Sequence, residues 1–454
     1  MNTTIAAVST PLGAGGISVI RISGNDAVAV ADKVFKSVSG KKLASMKGYT
    51  AAYGKIFDND EKLDEAVATV FLAPHSYTGE DVVELSCHGG VYITSQVLRT
   101  VLKNGAVPAE AGEFTKRAFL NGKIDLTESE AVMDIISARG KAAARSALSI
   151  KEGRLRKEID EVKTRLIDDA AHLSAWADYP EEDIPEVSAE RLAESIKGSV
   201  SRLKKLIKGY DTGRAVKEGV DTLIVGKPNV GKSTLMNLLS GCERSIVTDI
   251  PGTTRDIIQE TVVLGNAVLL LSDTAGLRDT DNPIEQIGVE LAKKRLQSCG
   301  LVLAVFDASR ELDNDDFELL KLLKDVPSVA VVNKSDLNSV IDTDFIEKNV
   351  TSLVTVSAAN GDGLDALTEA VEKITGAAEF DENAAVLSTE RQRVCTENAI
   401  SALCDALNAI DIGMTLDAVT VSIEEAVQSL LELTGERASE VVVHNVFSRF
   451  CVGK

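Results

Sequence analysis

The sequence predicts a multidomain α/β protein in which a parallel-dominated sheet, with helices on both faces, is inserted into a helical domain. Three observations predict it. Between about 216 and 375, short apolar runs alternate with helical stretches. On either side, at 121–215 and 376–454, apolar residues recur at helical spacing. Residues 1–120 mix short β-like runs with glycines. Strand–helix alternation is the signature of a parallel sheet wrapped by its crossover helices.

Within 1–120 the β-like runs are Gly16–Ile22, Val67–Leu72 and Val82–Leu85, and a helical pattern spans Val91–Leu102; the segment reads as a compact α/β domain. From about Leu126 the character changes. Thr127 and Glu130 have capping-box spacing. Leu155, Ile159, Val162, Leu166, Ala170 and Leu173 then recur with helical period, Pro180 and Pro185 interrupt it, and Leu192, Ile196, Val200, Leu203 and Ile207 resume it. Strands are expected at Thr222–Val225, Val268–Leu271, Leu301–Phe306, Ser328–Val332 and Leu353–Val356. After 385 the chain is helical again, with Val419, Ile423, Val427, Leu430 and Leu431 on one face. The two helical stretches, 121–215 and 376–454, are expected to pack together around the insertion.

Bulk properties narrow the function classes. A chain of 454 residues has room for two to four domains. No apolar run reaches the roughly 18–20 residues a membrane span needs, and the first residues lack a secretory pattern. The six cysteines, at 87, 242, 299, 395, 404 and 451, form no CxxC pair, which argues against zinc and disulfides and for a reducing cytoplasm. A net charge of −20 makes the chain a poor stand-alone binder of nucleic acid. No GxxG loop in a basic setting is found, against an RNA-binding KH domain.

The chemistry is concentrated in the inserted domain. Gly226-Lys227-Pro228-Asn229-Val230-Gly231-Lys232-Ser233, followed by Thr234, fits GxxxxGK[ST] between an expected strand and helix. Such a loop turns backbone N–H groups onto phosphate oxygens at a helix N-terminus. Lys232 is expected to reach the β- and γ-phosphates, and Ser233 to ligand Mg²⁺. Asp273-Thr274-Ala275-Gly276 follows the second strand, where an Asp holds Mg²⁺ through water and a Gly N–H senses the γ-phosphate. Asn333-Lys334-Ser335-Asp336 follows the fourth strand, and the Asp336 carboxylate can accept two hydrogen bonds from the guanine edge that adenine cannot supply. Ser357-Ala358 follows the fifth strand and suits the guanine carbonyl. The four elements in this order imply GTP binding and hydrolysis. Leu277 stands where many small GTPases carry the Gln that orients the attacking water. The stretch Thr248-Asp249-Ile250-Pro251-Gly252-Thr253-Thr254-Arg255-Asp256 offers a Thr to complete the Mg²⁺ shell.

Taken with Gly252–Asp256, the segment Glu113-Phe114-Thr115-Lys116-Arg117-Ala118-Phe119-Leu120-Asn121-Gly122-Lys123 and the terminal Phe450-Cys451-Val452-Gly453-Lys454 extend the pattern beyond the G motifs. Together they resemble the MnmE (TrmE) family of tRNA-modification GTPases, within the TrmE-Era-EngA-YihA-Septin-like GTPases, and the resemblance covers the whole chain. It implies a folate-binding-like N-terminal α/β domain (1–120) that also dimerises, a helical domain in two parts (121–215 and 376–454) and a Ras-like G domain (216–375). It implies a homodimer that joins an FAD-containing MnmG-type partner in a heterotetramer or larger complex. That complex acts on tRNA, placing aminomethyl or carboxymethylaminomethyl groups at carbon 5 of the wobble uridine, position 34. FAD belongs to the partner only, and no membrane is involved. The family's other cofactors are Mg²⁺, K⁺ bound where G domains meet, and 5-formyltetrahydrofolate or a related one-carbon tetrahydrofolate.

By position, Asn229, Thr248, Ile250 and Thr253 match the family's K⁺ site, and Ser233 and Thr254 match its Mg²⁺ ligands. A fixed cation beside the transferring phosphoryl group does electrostatically what an arginine finger does. Glu285 matches the catalytic acidic residue, which takes the water-orienting role that Leu277 cannot fill. Arg21, Glu84 and Lys123, with Lys454, match the folate-binding positions; Lys and Arg suit the folate carboxylates and Glu the pterin donors. Cys451 is expected to be accessible and open to a chemical role, and His88 is either a further candidate or a packed structural histidine. Ala111 in place of the family's usual Pro, Val452 in place of Ile, and Pro283 ahead of Glu285 are mild departures.

Overall fold

The computed structural model describes residues 3–11, 13–178, 188–241, 260–271, 296, 299–381 and 384–454. Its elements begin with β1 (Ile5–Val8), β2 (Ile17–Ser23), α1 (Ala27–Val34), β3 (Phe35–Ser37), β4 (Thr50–Asp58), β5 (Glu61–Phe71), β6 (Val82–His88), α2 (Val91–Lys103), β7 (Val107–Pro108) and α3 (Glu113–Leu120). Helices α4 (Leu126–Ser137), α5 (Lys141–Lys151), α6 (Arg154–Asp178), α7 (Ala189–Lys208) and α8 (Tyr210–Glu218) follow. Next come β8 (Val220–Val225), α9 (Lys232–Gly241), β9 (Glu260–Leu264), β10 (Ala267–Leu271), β11 (Leu301–Asp307), α10 (Asn314–Leu323), β12 (Ser328–Asn333), α11 (Thr343–Glu347), β13 (Ser352–Thr355) and α12 (Leu364–Thr375). The chain closes with α13 (Glu390–Asp411), α14 (Leu416–Thr434) and α15 (Glu440–Phe447). No helix among the described residues is long and apolar enough to cross a membrane.

The chain forms two compact units, Met1–Met133 with Val427–Lys454, and Asp134–Ala426. The first carries a seven-stranded sheet in the order β3-β4-β5-β6-β2-β1-β7, antiparallel except for the short β1–β7 pairing. Its strands alternate sides with period two. Ile20, Ile22, Val83, Leu85, Ala68 and Val70 point into a core closed by Val30 and Val34 of α1 and Val97 and Val101 of α2. The opposite face carries the register pair Arg21 and Glu84 on β2 and β6. Helix α15 and the tail add a second core, where Phe447 and Phe450 pack with Leu126 and Val132.

The start of α4 corrects the sequence reading. The capping pair is Asp125 and Glu128, not Thr127 and Glu130. Asp125 Oδ1 accepts from the Glu128 N–H at 2.7 Å, and Glu128 Oε2 accepts from the Asp125 N–H at 2.7 Å. Thr127 lies inside the first turn and donates its hydroxyl to Asp125 Oδ1 at 2.8 Å. An Asp caps as well as a Thr, so two overlapping frames were open and hydrogen bonding selects one.

The second unit holds a six-stranded sheet in the order β13-β12-β11-β8-β10-β9. Strands β8, β10, β11, β12 and β13 pair in parallel, and β9 joins β10 as an antiparallel edge strand. Every residue of β11 and β12 is buried, as strands covered on both faces must be. One face packs Leu235 and Leu239 of α9 with Leu367 and Val371 of α12, and adds Ala142 of α5 and Val216 of α8. The other packs Leu320 and Leu323 of α10 and Ile346 of α11. The helical part of this unit lays α7 along α6 and α13. Tyr210 donates to Glu390 at 3.2 Å, and Lys217 reaches the Ser388 carbonyl at 2.8 Å and the Asp134 carboxylate at 2.7 Å. The two helical stretches therefore meet through α7 and α13, whereas Val427–Lys454 clusters with the N-terminal residues. Pro180 and Pro185 lie outside the described residues.

Candidate functional site

In the second unit the loop Gly226–Gly231 leaves the C-terminal end of β8 and runs into α9. Two of its glycines are required by their surroundings. At Gly226 (φ +145°) a Cβ would stand 2.4 Å from the Val305 carbonyl oxygen. At Gly231 (φ +98°) it would stand 2.1 Å from Asn333 Nδ2. Between them Asn229 adopts a left-handed backbone, φ +65°, which Asn tolerates better than most residues. Lys232 Nζ donates to the carbonyls of Gly226 at 2.7 Å and Lys227 at 2.6 Å, so its ammonium lies within the loop's curve. Lys227 is anchored from outside, to Asp316 at 2.8 Å and to Asp313. Those two carboxylates form the capping box of α10.

The base motif is tied to this loop by Asn333. Its Nδ2 donates to the Val230 carbonyl at 3.0 Å, and its Oδ1 accepts from the Ala358 N–H at 2.9 Å. A carboxamide alone offers one donor and one acceptor across that gap. The structure thus gives Asn333 a bracing task between the loop ends after β8, β12 and β13. Asp336 is exposed, and its Oδ1 accepts from the buried Ser357 hydroxyl at 2.7 Å. That bond orients the carboxylate that the sequence motif assigns to two N–H donors of the base. Lys334 has φ +64° and donates to Asp307 Oδ2 at 2.6 Å. Burial pushes the Asp307 carboxyl up, but its bonds to Lys334 and Ser309 outweigh this and hold it below the ordinary carboxylate range.

Ser233 and Thr234 open the first turn of α9 with exposed side chains, and the Asn229 side chain is exposed on the loop. Hydroxyl and carboxamide oxygens are hard donors, which fit Mg²⁺ and K⁺. The remaining nucleotide- and metal-site residues expected from the sequence, Thr248, Asp249, Ile250, Pro251, Gly252, Thr253, Thr254, Asp273, Thr274, Ala275 and Gly276, lie outside the described residues, as do Leu277, Pro283 and Glu285.

The first unit brings together Arg21, Glu84 and the chain's last residues. Arg21 Nε donates to Glu84 Oε1 at 2.9 Å and Nη1 to the Gly453 carbonyl at 3.2 Å. The guanidinium lies 5.2 Å from the Tyr77 ring centre and 5.6 Å from that of Phe114. The tail is fixed by backbone: Ala111 bridges to Val452, Gly112 N–H donates to the Cys451 carbonyl at 3.4 Å, and Phe114 N–H donates to that of Lys454 at 3.2 Å. Gly453, at φ +98°, would carry a Cβ 2.3 Å from the Val8 carbonyl oxygen, so only Gly passes there. Cys451 is exposed, as expected. Lys123 is exposed and donates to the Pro74 carbonyl at 3.0 Å. His88 is exposed, with Nδ1 2.6 Å from Asp64 Oδ1, rather than a packed core histidine.

Sequence reasoning missed Tyr77 and Phe114, the rings on which the Arg21 guanidinium packs, and Asp307. It also gave no task to Arg117. That side chain is 1% exposed and joins Glu80 at 3.0 Å, Glu113 at 2.8 Å and the Thr3 carbonyl at 2.7 Å. Phe114 and Arg117 both stood inside the 113–123 motif, which was therefore a structural as much as a chemical signal.

A phosphate-type loop, a braced base motif and a parallel sheet with helices on both faces define a Ras-like G domain carried in a multidomain chain. Two family profiles match: GTP-binding protein TrmE N-terminus over residues 4–123, and the MnmE helical domain over residues 126–451. The chain is 41% identical to the tRNA modification GTPase MnmE of Clostridioides difficile over 454 residues, covering 99% of each chain. It is 41% identical to the MnmE of Acetivibrio thermocellus over 456 residues, again with 99% of each covered. Among solved structures, a variant of Aquifex aeolicus Era bound to GDP and aluminium fluoride is 29% identical, spanning 40% of this chain and 66% of that one, with a TM-score of 0.28. The chain belongs to the MnmE family of tRNA modification GTPases.

Proposed function

We propose that this GTP hydrolase of tRNA modification is stimulated by K⁺ and works as a homodimer with an MnmG-type FAD protein. Together they modify carbon 5 of the wobble uridine of certain tRNAs in the cytoplasm. The reading gives Mg²⁺ to Ser233 and Thr254, and K⁺ to Asn229, Thr248, Ile250 and Thr253. Bound there, K⁺ supplies positive charge beside the transferring phosphoryl group. Glu285 orients the attacking water. A one-carbon tetrahydrofolate sits at Arg21, Glu84, Lys123 and Lys454, near the Cys451 tail.

The observation that carries the reading beyond GTP hydrolysis is the Arg21 cluster. A guanidinium held by Glu84 and the Gly453 carbonyl rests on the fully buried Phe114 ring and the partly exposed Tyr77 ring, which sets a fixed cation beside one accessible aromatic side chain. That combination suits a ligand with both a carboxylate and a planar ring. The test is mass spectrometry of wobble nucleosides from cells lacking the chain. Loss of the aminomethyl and carboxymethylaminomethyl derivatives, restored by the wild-type gene, is expected. An unaltered nucleoside profile would remove the proposed substrate.

A further inference from the structure

We infer that Asp307, which no sequence motif flags, is a positioning residue for the guanine ring, acting by holding Lys334 across the mouth of the base site. The inference deepens the proposed nucleotide site and rests on reading Asn333–Asp336 as its base-recognition motif.

The geometry is local and specific. Asp307 is the last residue of β11, and Asn333, the last of β12, is its register partner. Lys334 leaves β12 in a left-handed conformation, φ +64°, unusual for a residue with a side chain. Its ammonium then returns to the neighbouring strand end, 2.6 Å from Asp307 Oδ2. The four-carbon stem is thus stretched between two strand ends, at the C-terminal edge of the sheet where open α/β sheets bind ligands. Asp307 is itself fixed, because its other oxygen accepts from the Ser309 N–H at 3.0 Å and hydroxyl at 2.7 Å. The carboxylate side chain is only 9% exposed, against 32% for Lys334. A buried, doubly anchored acceptor therefore fixes a lysine side chain that is about one-third exposed. Two residues on, Asp336 presents its carboxylate to the base edge. An edge contact fixes a planar ring only if one of its faces also rests on a surface, and a pinned lysine stem is such a surface. Unpinned, the stem would have many rotamers to lose on binding.

The test uses the full-length chain and fluorescent GDP and XDP. Asp307→Asn keeps the side chain's shape and its acceptor for Ser309 but presents an amide to the ammonium. It should weaken GDP binding roughly tenfold, the scale of one hydrogen bond to a charged group. The same loss should appear for XDP in an Asp336→Asn background, because the stem meets the ring face, which the two bases share. Lys334→Met alone should match the Asp307→Asn loss, and the double variant should lose no more than either single one. A pair that only stabilised the fold would lower the melting midpoint of the nucleotide-free protein and leave affinity alone. Unchanged GDP affinity, a loss confined to GDP, or additive losses would overturn the inference. If Asp307→Asn does not fold, the Lys334→Met affinity decides. Should Asp336→Asn fail to shift preference from GDP to XDP, the base-motif reading fails instead, and the two failures are separable.

Discussion

Two cysteines of the first unit occupy opposite environments, and thiol chemistry follows from that. Cys87 sits in β6 with its side chain in the core. Burial, and then the nearby Asp64 carboxylate, push its thiol up to about 11. An unfolded thiol titrates near ~8.5. The raised value means that the protonated form favours the folded state: its contribution is full below the unfolded value and is lost as pH rises through about 11. Cys451 is exposed, on a tail whose backbone is bonded to Gly112 and Phe114. Since the thiolate is the nucleophile, iodoacetamide at about pH 8 should label Cys451 and spare Cys87 in the folded protein. Peptide mapping reads the result, and denaturant should equalise the two sites. Equal labelling in the folded protein would contradict the buried placement of Cys87.

At the scale of elements, α4 begins on the reciprocal Asp125–Glu128 box, and Asp125 also receives the buried Thr127 hydroxyl. Asp125→Ala removes a cap, worth about 1 kcal/mol, and leaves a buried hydroxyl without its acceptor, a further ~1 kcal/mol or more. The first unfolding transition should fall accordingly, and Asp125→Asn, which still caps, should lose less; urea denaturation followed by circular dichroism checks both. How much was readable varies element by element. The buried runs of β11 and β12 were legible because a strand covered on both faces must be continuously apolar. The phosphate loop was legible because its chemistry is contiguous: each glycine and lysine is needed within eight positions. The edge strand β9 is signalled only by Gly265-Asn266 between paired Leu264 and Ala267, a two-residue hairpin turn that apolar runs alone do not reveal. What no local pattern could supply are contacts made across the chain. Arg21 meets Gly453 over a separation of 432 residues, and Asn333 meets Val230 over 103. Each is a backbone carbonyl meeting a side chain, so the acceptor's residue type carries no hint of it.

For the molecule as a whole, the nucleotide motifs fall in one compact unit and Arg21, Glu84 and Cys451 in the other. One unit carries the GTPase motifs and the other the Arg21–Glu84 pair with the chain's last residues. On the proposed function, hydrolysis is expected to be slow alone and fast on assembly. Leu277 cannot orient water, so the chemical step needs help from elsewhere. Asn229, with its exposed carboxamide, and the oxygen-rich stretch from Thr248 to Thr253 suit a large monovalent cation beside the phosphates. K⁺ and ions of its size should therefore raise turnover well above Na⁺, because the smaller ion fits such a cage poorly. The stimulation should grow with protein concentration, since the cation site is expected to be completed when two G domains pair. Glu285→Ala should then abolish most turnover while GTP affinity and K⁺-dependent pairing persist. Steady-state phosphate release, nucleotide titration and sedimentation in K⁺ and in Na⁺ separate these quantities. A fall in kcat with affinity preserved marks a group that acts only in the transition state, and a structural residue would lose both. Equal turnover in the two salts would remove the cation from the mechanism, and normal hydrolysis by the Glu285→Ala variant would remove Glu285.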